Sequence, residues 1–129
     1  MTLRRSRQHG GAAVEFALIA PMLSALVLGV LEAGHFTSNY QAASVCVRAG
    51  AREASLTTAT ATSVQTVTNN CLTDAGFASV TPTISPSNPA SAASGSKLIV
   101  SFNLAYASWF GVYFTSKTMH FSCSMIKEH

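Results

Sequence analysis

The chain carries little charge. Only 10% of its 129 residues are charged, five acids against eight lysines and arginines, while 48% are hydrophobic. That balance is too apolar for a disordered chain and unusual for a free soluble domain. Arg4, Arg5 and Arg7 account for the whole net charge of +3, so the remainder is close to neutral. A basic face for nucleic acid is thereby excluded. Histidine and cysteine are sparser still, at four and three. His9, His35, His120 and His129 share no metal-ligand spacing with one another or with Cys46, Cys71 and Cys123. His120 and Cys123 stand three apart on a candidate strand, hence on opposite faces. No glycine loop for phosphate and no nucleophile elbow is present, and nothing pairs two of Glu53, Asp74 and Glu128. The sequence therefore offers no catalytic residues, no metal site and no cofactor site. Its length fits one domain and an anchor.

What the chain does have is a long apolar run. Residues 12–34 would extend about 34 Å as a helix, enough to cross a hydrocarbon core of about 30 Å. Arginines before the run and none close after it place the N-terminus in the cytoplasm and the rest beyond the membrane. There the three cysteines face an oxidising compartment, where one pair can bridge and one thiol remains. Within the run sits one acid near its start, Glu15. A carboxylate near a bilayer centre costs about 2.5–3.5 kcal/mol, so its presence points to use. An ordinary cleaved secretory signal fits poorly, because it has no acid in its core and Leu31-Glu32-Ala33 is a weak cleavage site. The bland alternative is a plain anchor whose Glu15 snorkels to the interface.

Periodicity continues the first helix past the membrane. Phe36, Tyr40, Ala43, Val47 and Ala51 recur at helical spacing, with Arg48 and Arg52 on the other side. One helix is therefore expected over residues 12–54, kinked at Pro21. Residues 56–62 read as a turn. Val64, Val67, Cys71, Leu72 and Ala75 then mark a short helix that Gly76 ends. A weak edge strand is expected over residues 78–84, and clear alternation marks strands at residues 98–104 and 119–125. Residues 85–96 read as a solvated, mobile loop. The fold class is α+β: a long N-terminal transmembrane helix extending into a small head with a second helix and a three-stranded antiparallel sheet. Cys71 and Cys123 both point inward and form the expected disulfide. The sequence leaves Cys46, on the flank of the long helix, as an alternative partner for either, and three reduced cysteines as the alternative to both. Ala25, Gly29 and Ala33 form a small-residue ladder on which another helix could pack. The aromatic stretch at residues 109–114 suits either an interface or a turn folded back on the long helix.

Gly10-Gly11-Ala12-Ala13-Val14-Glu15-Phe16 resembles the type IV prepilin signal, specifically the Flp/Tad subclass, with Phe16 where that pattern has tyrosine. The segment from Ala42 to Arg52 looks like the Ala-Ala-Arg-Glu-Gly-Ala-Arg segment that follows the membrane helix in TadE-like proteins. Here Val47 stands in place of alanine and Ala49 in place of glutamate. The resemblance covers roughly the first 55 residues. It implies a leader of residues 1–10 cut by a prepilin peptidase between Gly10 and Gly11, a transmembrane helix over residues 11–34, and a periplasmic α+β head over residues 35–129 that includes the helix continuation 35–54. Arg4, Arg5 and Arg7 would orient the substrate bond. Glu15, beside Phe16, would pair with the freed amine of a neighbouring subunit, each removing the other's cost in lipid. The implied role is a minor pilin or pseudopilin in the bacterial inner membrane, working in Tad pilus assembly or initiation. The implied partners are other minor pilins, the major Flp-type pilin and the Tad inner-membrane platform with its ATPase. The rival expectation is an uncleaved, membrane-anchored periplasmic adaptor or binding protein.

Overall fold

The computed structural model describes residues 8–108 and 117–128, and its dominant element is a single helix. That helix, α1, spans Gln8–Ser55 and runs unbroken through Pro21. Its few hydroxyls do not disturb it. Ser24 Oγ donates back to the carbonyl of Ala20 at 2.8 Å, and Thr37 Oγ1 does the same to Ala33 at 2.8 Å. Bonding of this kind hides a polar group within the helix's own turn.

A second helix, α2, spans Ala61–Asp74. Thr60 starts it through a capping box: its side chain accepts from Ser63 N–H at 3.0 Å, while Ser63 Oγ accepts from Thr60 N–H at 3.1 Å. These bonds satisfy two donors that the first turn would otherwise leave open. The chain leaves α2 through Gly76, whose φ of +83° is one that glycine adopts at no steric cost. The strands are β1 (Thr83–Ser85), β2 (Lys97–Tyr106) and β3 (Lys117–Ile126), in the antiparallel order β1-β2-β3.

These elements match the α+β reading of the sequence, with two differences. The first strand is shorter than the expected 78–84 because proline at position 82 cannot donate to a ladder. The loop at residues 85–96 is not simply solvated. It holds a 3-10 turn at Pro89–Ser91, Pro89 is buried, and the buried Lys127 ammonium donates to the carbonyls of Pro89 and Ala90.

One face of the β2–β3 ladder packs on the upper half of α1. Leu98, Val100, Phe102, Leu104 and Tyr106 alternate inward from β2, and Met119 and Phe121 from β3. Against them α1 sets small residues: Ala43, Cys46, Val47, Gly50, Ala51 and Ala54. Gly50 is required for size. A Cβ there would lie 2.2 Å from Thr68 Oγ1 on α2, and Thr68 is fully buried with its hydroxyl donating to Val64 O.

Next to this crossing, the disulfide joins Cys46 of α1 to Cys71 of α2, with Cα atoms 5.4 Å apart. The expected Cys71–Cys123 pair is thus corrected. Cys123 is a free, half-buried thiol. The reason lies in the layering: α2 is braced on α1 itself, so the inward cysteine of α2 meets the flank of α1 before it reaches the last strand.

Candidate functional site: the anchor helix and its junction with the head

The lower half of α1 turns its apolar side chains outward. Over the most hydrophobic window the helix has a mean hydropathy of 2.2 and none of its residues is buried within the protein. Val14, Leu18, Met22, Leu26 and Val30 are all exposed. By length and composition this helix can cross a membrane. Glu15 and Phe16 lie exposed on it, and Glu15 is the only charged residue between positions 11 and 31. Gly10 and Gly11 stand in its first turns, where an added Cβ at either would meet nothing within 4 Å. Of the ladder residues, Ala25 and Ala33 are exposed and Gly29 is half-buried. Arg4, Arg5 and Arg7 lie outside the described residues, as does the aromatic stretch at 109–114.

The structure adds a polar cluster where the bare half of α1 meets the head. Glu32 is 1% exposed, the first fully buried side chain along the helix. Tyr106, at the end of β2, donates its hydroxyl to Glu32 Oε1 at 2.8 Å across a sequence separation of 74. The same hydroxyl lies 3.2 Å from His35 Nδ1, and His35 Nε2 lies 3.2 Å from Asn39 Nδ2. With the Tyr106 proton committed to the carboxylate, the roles run one way. Asn39 donates to Nε2, and His35 Nδ1–H donates to Tyr106. The Phe36 ring meets Tyr106 edge-on at 5.2 Å and screens the cluster. Burial first, then the hydrogen bond and the charge of Glu32, push the Tyr106 hydroxyl up to about 12. The cluster ties the end of β2 to the middle of α1.

In the sequence Glu32 falls inside the expected membrane segment, with no partner in reach. Its partner is remote in sequence, so no local spacing could have revealed the contact. The available signal was the second acid itself, at the far end of an apolar run, opposite a tyrosine that closes an alternating strand. Among the described residues, no group of three or more His, Cys, Asp or Glu side chains could hold a metal ion.

Residues 10–52 match the family model described as TadE-like protein. No curated protein and no solved structure matches the chain. The matched segment begins at Gly10, contains Glu15, Phe16 and Glu32, and ends at Arg52 on the upper half of α1. Across residues 10–52, therefore, the chain is TadE-like.

Proposed function

We propose that this protein is a TadE-like minor pilin or pseudopilin that acts in the assembly or initiation of a Tad (Flp, type IVc) pilus. The observation that carries the reading is Glu15. It is a lone carboxylate on an exposed, apolar helical surface, and it lies within the TadE-like segment. In lipid such a group is costly unless a cation meets it. Cleavage between Gly10 and Gly11 by a prepilin peptidase would create that cation, making Gly11 the new amine and Glu15 the fifth residue. The amine of one subunit then pairs with Glu15 of its neighbour, and the two charges set the register of neighbouring helices. The chemistry is done to the chain, not by it.

The burial of Glu32 sharpens where the membrane would end. If the head begins at Glu32, the lipid-facing stretch is residues 11–31, about 31 Å of helix against a core of about 30 Å. The N-terminus then lies in the cytoplasm and the head in the periplasm. The partners in this reading are the peptidase, other minor pilins, the major Flp-type pilin and the Tad platform.

The test is substitution at Glu15 in cells that build the pilus. Glu15→Ala and Glu15→Gln are expected to be processed and inserted normally while surface pili are lost. Normal pili with either substitution would remove the role given to Glu15 and favour an uncleaved anchored adaptor.

A further inference from the structure

The sheet has two edges, and only one of them is guarded. Exposed strand edges invite pairing with other chains, and proteins blunt them with short strands, prolines, bulges or charges. The β1 edge is blunted: three residues between Pro82 and Pro86. The β3 edge is not. It is ten residues long, pairs residue for residue with β2 without a bulge, and holds no proline and no charge between Lys117 and Lys127. Among the described residues no strand meets its outer side.

That outer side opens on a groove of about 600 Å³ between β3 and α1. The unbroken run of residues 120–124 lines it. Strand side chains alternate between faces, so a consecutive run lines one groove only where the groove reaches the backbone. The opposite wall is Tyr40, Ser44, Val47 and Arg48 of α1. Arg48 is exposed, and among the described residues no carboxylate lines the groove to answer it. Cys123, the free thiol, lies on the floor, half-buried.

We propose that this groove receives an extended, carboxylate-bearing segment of a different subunit, which adds to β3 as a fourth strand and sets its carboxylate on Arg48. This rests on the reading of the chain as a membrane-anchored assembly component. A second copy of this chain does not fit. None of β1, β2 and β3 contains an aspartate or glutamate. Antiparallel pairing of β3 with its own copy is also wrong for one membrane. The helix α1 runs alongside β3 in the same direction: the Tyr40 and Phe121 rings are 5.1 Å apart, and Glu128 N–H donates to Ser55 O at 3.0 Å. The intervening lengths agree, about 22 Å of helix against about 23 Å of strand. A two-fold axis normal to the sheet would reverse α1 and send the two anchors in opposite directions.

Cys123 reports occupancy, because the Cys46–Cys71 disulfide leaves it as the sole thiol. Full-length protein is labelled with N-ethylmaleimide in membranes from cells that carry the whole assembly, and separately after purification in detergent. Labelling in the membranes is expected to be about tenfold slower, as for a thiol open only in the roughly one-tenth of molecules whose groove is empty. Arg48→Glu should restore the detergent rate in membranes and Arg48→Lys should not. Arg48→Gln, which removes the charge without reversing it, should fall with Arg48→Glu and guards against misfolding of the latter. Equal rates in the two preparations, or protection that survives both Arg48→Glu and Arg48→Gln, overturn the proposal. So does protection in vesicles holding the purified chain alone, which would make the occupant a second copy. The intact mass of the same samples shows whether residues 1–10 are gone. An exposed Cys123 on a processed chain overturns the groove and leaves the assembly reading standing.

Discussion

The two halves of α1 obey opposite packing rules. From residue 11 to 31 no side chain is buried and the large ones face outward, with Leu18 at 71% and Met22 at 76% exposure. From Ala43 to Ala54 the inward residues are small and buried, with Ala43, Ala51 and Ala54 at 0%. One helix thus meets two surroundings, told apart by the burial of its apolar residues. Large apolar residues face outward where lipid can serve as the neighbour. On the upper half, alanine and glycine stand where α2 and the sheet come close. The changeover is marked by Glu32, Tyr106 and His35, the hydrogen-bonded set at the foot of the head.

Substitutions in either half test this division of the helix, each read by unfolding of the purified protein in detergent. The largest effect is expected from opening the disulfide. Cys46→Ser releases a loop of 25 residues, and in the chain-entropy model this costs the head about 3.5 kcal/mol. A reductant acting on the wild type should reproduce the loss and have no further effect on the variant.

Next comes the junction. Tyr106→Phe removes a hydrogen bond to a buried carboxylate and should cost about 2 kcal/mol. The pH dependence has a definite sign. The folded hydroxyl titrates near 12, above its ordinary value of 10.0, so its contribution is complete below about pH 10 and fades as pH rises through 12. A denaturation midpoint measured from pH 9 to 12 should therefore fall through this window in the wild type. Tyr106→Phe should show a shallower fall.

A smaller cost is expected at the helix crossing. Gly50→Ala forces a methyl against Thr68 Oγ1, and the overpacking of about 1–3 kcal/mol is partly offset by alanine's better helix propensity of about 1 kcal/mol. Adding Thr68→Ala should make the methyl at position 50 neutral or favourable against that background. The smallest effect belongs to the lower half. Leu26→Ala should shift head stability by no more than about 0.5 kcal/mol, because Leu26 is exposed. A loss of several kcal/mol there would mean that the bare half packs on the head after all.

Most of this architecture was legible in the sequence because it is periodic. The 3.6-residue pattern through Ala43, Val47 and Ala51 gave the continuation of α1, and strict alternation gave β2 and β3. Glu15 and Gly10 could be singled out because a charge in an apolar run needs no partner to be noticed. What could not be read depended on contacts between distant segments. Cys123 faces inward by pattern and Cys46 lies on the flank of the long helix, so only the seating of α2 on α1 decides which of them Cys71 meets. Glu32 finds Tyr106 through the path of β2, and the Pro89 carbonyl is met by Lys127 from beyond the last strand. Alternation also says nothing about which strand edge is left open, since it reports faces and not neighbours.

Whether the exposed half of α1 is a processed prepilin segment is decided by the intact mass of the membrane-extracted protein from cells with and without the prepilin peptidase. We expect a peptidase-dependent loss of residues 1–10 that leaves Gly11 at the N-terminus. A chain that still carries Met1 in both strains would contradict the claim and make the protein an uncleaved membrane-anchored adaptor.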